Sequence, residues 1–129
     1  VNKLVNLEEV YATAKKHADS PRNMRPMEVF SGHAKITGPC GTTMEFWVKV
    51  QKDKIKEVSF ITDGCASSIA SGSMATCMAE GRTIAEAQEI DQQNVLQALD
   101  GLPKDHEHCA LLSTNTLKAA CEDYLSKGK

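Results

Sequence analysis

Phe60-Ile-Thr-Asp-Gly-Cys-Ala-Ser-Ser-Ile-Ala-Ser71 changes periodicity at its middle. Before it, Val58, Phe60 and Thr62 recur at a spacing of two, as in a half-buried strand. After Asp63-Gly64-Cys65, the residues Ile69, Ala70, Met74, Cys77 and Met78 share one helical face, and Gly81 stops the run. A strand therefore passes into a helix with Cys65 at the junction. Upstream, Met44, Phe46, Val48 and Val50 alternate with Glu45, Trp47 and Lys49, a second half-buried strand, and Lys52-Asp53-Lys54 makes the turn between the two. Phe30, Ala34 and Ile36 suggest another strand from Val29, weakened by Gly32, and Gly38-Pro39 breaks the chain after it. Three strands joined by short turns imply an antiparallel meander.

One helix is expected before these strands in the chain and four after them. Asn6-Leu-Glu-Glu9 resembles a helix N-cap with a back-reaching Glu, followed by Leu7, Val10, Tyr11 and Ala14 at helical spacing. Asp19 to Asn23 and Pro26 end that helix in an irregular linker. Thr83-Ile-Ala-Glu86 is a capping box, Asp91 caps a further helix, and Gly101-Leu-Pro103 ends it. Ala110 to Ser126 reads as a last helix with Leu111, Leu112, Leu117, Ala120 and Leu125 apolar. The expected class is α+β: a three-stranded antiparallel sheet packed against a set of helices, in one domain over residues 1–129.

Composition narrows the function. Apolar residues make up 41% and charged residues 25%, with a net charge of -2, which is ordinary for a globular chain and gives no electrostatic support for nucleic-acid binding. No apolar stretch is long enough for a membrane span, and Glu8 and Glu9 fall where a signal peptide would need an apolar run. A cytoplasmic location is expected. Five cysteines in such a chain argue for thiols rather than a disulfide framework.

The cysteines divide by position. Cys40 lies in the loop Gly38-Pro-Cys-Gly41, Cys65 follows Asp63-Gly64, and Cys109 opens the last helix after His106-Glu107-His108. Loop and helix-start thiols can converge at one end of a sheet, and a helix N-terminus favours the thiolate, the form that binds metal and attacks sulfur. Cys77 and Cys121 each lie twelve residues past a helix-start cysteine. That is about 18 Å along a helix, so they are read as packing residues. His108, adjacent to Cys109, can point toward the same site. His106 can substitute for it or hydrogen-bond, or stay a solvated loop residue, which is the plainer reading. His17 and His33 are most simply surface residues, and Asp63 is read first as a turn former. The set lacks a Cys-x-x-Cys pair and does not match a zinc finger.

The assembled motifs are similar to a known family. His17-Ala-Asp-Ser-Pro-Arg-Asn23 resembles the His-Tyr-x-x-Pro-Arg-Asn segment of IscU and NifU N-terminal-type iron–sulfur scaffolds. Gly38-Pro-Cys-Gly-Thr-Thr-Met44 resembles their Cys-Gly-Asp-x-Met loop. Phe60 to Ser71 resembles their Gly-Cys-x-x-x-x-Ala-Ser signature, and Leu102-Pro103, His108-Cys-Ala110 and Leu117-Lys-Ala-Ala120 resemble the C-terminal ligand segment. The likeness spans about residues 10 to 125. It implies an IscU-like fold and a non-enzymatic scaffold that takes sulfur from a cysteine desulfurase, combines it with iron, and passes a [2Fe-2S] cluster to apo-proteins. It implies Cys40, Cys65 and Cys109 as ligands with His108 as the variable fourth, and zinc as a surrogate ion. Cys109, for its helix-start position, is the expected first acceptor of sulfur. The alternatives are a zinc-dependent sulfur acceptor of the SufU type, whose long insertion has no room between Cys65 and His108, and a structural zinc domain.

Two positions depart from the pattern. The family aspartate after Cys-Gly is Thr42, a far weaker ligand, so either a more tightly held cluster or the use of His106 or His108 in exchange is expected. The family's Leu-Pro-Pro-Val-Lys stretch reads Leu102-Pro-Lys-Asp-His106. It lacks the apolar anchor and the lysine, and recognition by an Hsp70-type chaperone is expected to be weak or absent.

Overall fold

A computed structural model describes residues 11–127. Its elements run α1 (Ala12–Asp19), β1 (Gly32–Thr37), β2 (Thr43–Gln51), β3 (Lys54–Thr62), α2 (Ala66–Ala79), α3 (Ile84–Ala87), α4 (Gln92–Ala98), a 3-10 turn (Lys104–His106) and α5 (His108–Ser126). The strands form one antiparallel sheet in the order β1-β2-β3. This is the expected α+β meander with its helices. The proposed cap at Asn6, with Leu7 and Val10, lies outside the described residues. Tyr11 is not helical but stands as the N-cap of α1, so the helix begins at Ala12.

One face of the sheet builds the core. Ala34, Phe46 and Phe60 pair across the three strands, and Met44, Phe46, Val48, Val58 and Phe60 are all fully buried. α2 packs against β3, α1 and α5 at once. That central position reverses the expected polarity of the helix. Ile69, Met74, Cys77 and Met78 are only half-buried, while Ser67, Ser68, Ala70, Ser71, Gly72, Ser73, Ala75 and Thr76 are buried. A helix surrounded on several sides needs small residues so that its neighbours can approach. Gly72 shows the limit: a Cβ there would lie 2.3 Å from the Phe60 ring. Several buried hydroxyls are satisfied by carbonyls one turn back, as Thr76 to Ser73 at 2.7 Å and Thr116 to Leu112 at 2.7 Å.

The other face is less open than alternation suggests. Trp47 is buried at 6% exposure, with the His33 ring 5.5 Å away. His33 is itself half-buried, bonded to Glu45 at 2.6 Å. His17 is not a surface residue: it is buried, and its Nδ1 meets the Ser73 hydroxyl at 2.7 Å. The capping boxes at Thr83–Glu86 and Asp91–Asn94 are both formed. Leu111, expected in the core, is 43% exposed.

Candidate metal centre

The meander brings two of the three cysteine segments together. Thr37 pairs with Thr43, and Met44 with Thr62. The β1–β2 loop that carries Cys40 and the segment after β3 that carries Cys65 therefore leave the same end of the sheet. Asp63 ties them: its carboxylate accepts the Thr43 N–H at 2.9 Å, and the Thr62 hydroxyl donates to the Thr43 carbonyl at 2.8 Å. Asp63 thus acts as a loop former. Cys65 is the N-cap residue of α2, and Cys109 is the second residue of α5, so both sulfurs sit at helix starts.

Cys65, His106 and Cys109 present one ligand atom each, all within 4.8 Å of one another. Cys65 Sγ lies 3.7 Å from His106 Nδ1. His106 is half-buried on the 3-10 turn, held by its backbone N–H on the Pro103 carbonyl at 2.8 Å. It is not the solvated loop residue of the plainer reading. His108 places Nε2 3.9 Å from Cys109 Sγ, with its ring 6.5 Å from that of His106. Cys40 is exposed and lies outside the three-residue group. With His108 it lines a groove of about 180 Å³ that also includes Ile36, Pro39, Leu111 and Leu112.

Cys40 and Cys109 are shifted in opposite directions. Thr42, through its hydroxyl and then its backbone, hydrogen-bonds Cys40 and holds that thiol below its ordinary value, against the nearby Asp63 carboxylate. Cys109 is 3% exposed, and burial pushes its thiol up, although the Ser68 hydroxyl opposes the shift. The neighbouring sulfurs of Cys65 and then Cys40 add smaller contributions to the rise. Desolvation therefore outweighs the helix start at Cys109, and the exposed Cys40 is the thiol shifted toward thiolate. Cys121 is fully buried and pushed up to about 12 by burial, and Cys77 is half-buried beside the Arg22 guanidinium at 3.8 Å. Both fit their packing role.

Ser68 was not singled out by sequence. Its hydroxyl donates to Cys109 Sγ at 3.4 Å from a fully buried position. The available signal was its spacing: three residues after Cys65 on a helix puts it on the same face. Gly64 makes room for it, since a Cβ there would lie 2.4 Å from Ser68 Oγ and 2.7 Å from Thr42 Cγ2. Thr42, Gly64, Ser68 and Cys109 thus form one packed line across the three ligand segments.

Residues 11–129 match the family of NifU-like N-terminal domains. The chain is 42% identical over 112 residues to the iron-sulfur cluster assembly scaffold protein IscU 1 of Archaeoglobus fulgidus, covering 86% of this chain and 73% of that one. It is 39% identical over 114 residues to the scaffold protein IscU of Aquifex aeolicus, with the same coverage of 86% and 73%. Among solved structures, a NifU-like N-terminal protein from Brucella abortus superposes with a TM-score of 0.71 at 15% identity, covering 94% of this chain and 98% of that one. A scaffold protein of the SUF system from Fervidobacterium islandicum gives 0.70 at 20% identity, covering 84% and 93%.

Proposed function

Because the chain belongs to the family of NifU-like N-terminal domains, we propose that it is a scaffold on which a [2Fe-2S] cluster is assembled and from which it is handed to apo-proteins. Its relatives are named scaffold proteins. One observation carries the reading to this chain: Cys65 and Cys109, from two separate segments, bring their sulfurs within 4.8 Å of each other, with His108 3.9 Å from Cys109 Sγ and sharing a groove with Cys40. Thiolate and imidazole are the donors that suit iron and iron–sulfur clusters.

In this reading Cys40, Cys65, Cys109 and His108 hold the cluster, two ligands to each iron. Cys40 and Cys65 are exposed whereas Cys109 is buried, so in this reading they, rather than Cys109 as its helix start suggests, are the thiols that a persulfide-bearing cysteine desulfurase meets first, and the bound cluster stays within reach of apo iron–sulfur acceptors. A transferable cargo needs that access. A purely structural zinc site should be closed, which fits two exposed ligand cysteines poorly. The protein holds and delivers rather than turning over a small substrate, so no catalytic residue is assigned. The reducing cytoplasm is its proposed compartment, and no described helix is long and apolar enough to cross a membrane. A dedicated Hsp70-type chaperone is left out of the proposed partners. Lys104 and Asp105 are exposed and charged where the family stretch is apolar, and titrating such a chaperone with the 99–109 peptide checks this.

The test is transfer. Anaerobic assembly with iron, cysteine and a cysteine desulfurase, followed by addition of an apo-ferredoxin, should convert the acceptor to its holo form at a rate set by the loaded scaffold. Conversion no faster than with free iron and sulfide would sink the proposal.

A further inference from the structure

We propose that Cys65, His106 and Cys109 form an entry site for a single divalent metal ion, with a ligand set different from the one that holds the finished cluster. The cluster set draws on Cys40 and His108. The entry set draws on His106, which replaces a basic residue of the family stretch and has no role in the cluster reading above.

The geometry is that of a nearly assembled tetrahedral site. Bonds to thiolate sulfur and imidazole nitrogen at ordinary lengths separate the two atoms by about 3.6 Å, and Cys65 Sγ and His106 Nδ1 stand 3.7 Å apart. Cys109 Sγ completes the triangle, with all three atoms within 4.8 Å of one another. Two of the three ligands are fixed by regular structure: Cys65 at the cap of α2, and Cys109 in the first turn of α5 under the Ser68 hydroxyl. Two soft thiolates and one imidazole suit Fe(II), Zn(II) or Co(II) over magnesium or calcium. Three protein ligands leave the fourth position of a tetrahedral ion to water or to incoming sulfur, the arrangement of an open site. On binding, each thiol gives its proton to solvent and the imidazole binds in its neutral form.

His106 is also the ligand best placed to leave. It sits on a three-residue 3-10 turn, whereas Cys65 and Cys109 belong to the starts of long helices. A [2Fe-2S] cluster takes two protein ligands on each iron, so three ligands cannot stay on one iron as the second arrives. His106 then gives way while Cys40 and His108, which share a groove, complete the set. This last step rests on the cluster reading; the entry site itself does not.

Cobalt(II) titration of the apo-protein, followed by its d–d and thiolate charge-transfer absorption, tests the site. Wild type should bind one ion with a tetrahedral spectrum. His106→Ala should weaken binding by about tenfold or more, while Cys40→Ala and His108→Ala should bind as wild type does. Unchanged binding in His106→Ala, or an equal loss in Cys40→Ala or His108→Ala, would overturn the entry site. The same His106→Ala protein, given excess iron and sulfide, should still form the wild-type cluster spectrum. Failure to do so in that variant alone would make His106 a cluster ligand and overturn the division of roles. Failure in wild type too would count against the scaffold reading, while the cobalt result would still decide the entry site.

Discussion

Thr42 stands where the family carries an aspartate, and its hydroxyl and backbone hydrogen-bond the sulfur of Cys40. A hydroxyl that donates to sulfur supports a thiolate, whereas a carboxylate competes with it for the metal. Thr42→Asp should therefore load a cluster but release it to an apo-acceptor several-fold faster. The decay of the scaffold's visible absorption during transfer checks this, and an unchanged lifetime would show that Thr42 has no such effect. Most of the residues at this site were legible in the sequence. Cys40, Cys65 and Cys109 stood out by their glycines and helix starts, while Cys77 and Cys121 were set aside by helical spacing alone. Ser68 and the placement of His106 were not legible. Each depends on contacts between segments 41 positions apart, which no local pattern encodes.

Among the elements, α2 differs most from its sequence reading. Its pattern suggests one apolar face, but the helix is enclosed by β3, α1 and α5, so its small and hydroxyl residues face inward. Periodicity reports a helix with one buried side and fails for one with several. Gly72→Ala tests the packing directly. The added methyl would meet the Phe60 ring at 2.3 Å, and the ring is itself fully buried beside Phe46. The substitution should destabilise the fold by about 1–3 kcal/mol, read as a lower urea midpoint with unchanged slope. A midpoint equal to wild type would mean that α2 shifts freely against the sheet. The strands, by contrast, were legible where one face lies on the core, but β1 begins at Gly32 rather than Val29, and Phe30 stays outside it at 38% exposure. Trp47 is the exception, since residues packed on the outer face cover it.

For the whole molecule, topology assembles the site. An antiparallel meander returns the β1–β2 loop and the end of β3 to one end of the sheet, and α5 brings the third cysteine there. His17 joins the first helix to the central one through Ser73, whose hydroxyl also accepts the Arg22 N–H at 2.8 Å. Burial, and then the charge of Arg22, lower the His17 pKa from its ordinary value of 6.5. The unfolded chain thus takes up this proton at a higher pH than the folded chain. The stability tied to neutral His17 is complete above 6.5 and is lost as the pH falls below it toward the folded value. The thermal midpoint should fall on acidification through this window, and the fall should be smaller in His17→Gln. An identical pH profile in the two proteins would assign the loss to other groups. The helix count and strand order followed from capping and alternation, but this tie between distant helices did not, since an isolated histidine in the polar last turn of a helix reads as exposed.

The most direct measurement is anaerobic reconstitution of wild type and of Cys40→Ala, Cys65→Ala and Cys109→Ala, read by absorption and Mössbauer spectroscopy with the iron counted per chain. The account predicts a [2Fe-2S] spectrum in wild type that is lost or strongly diminished in each variant, with folding retained by circular dichroism. A wild-type spectrum that survives in any one of the three variants would contradict the ligand set. Zinc held so firmly that its removal unfolds the chain, with no cluster formed, would contradict the scaffold itself.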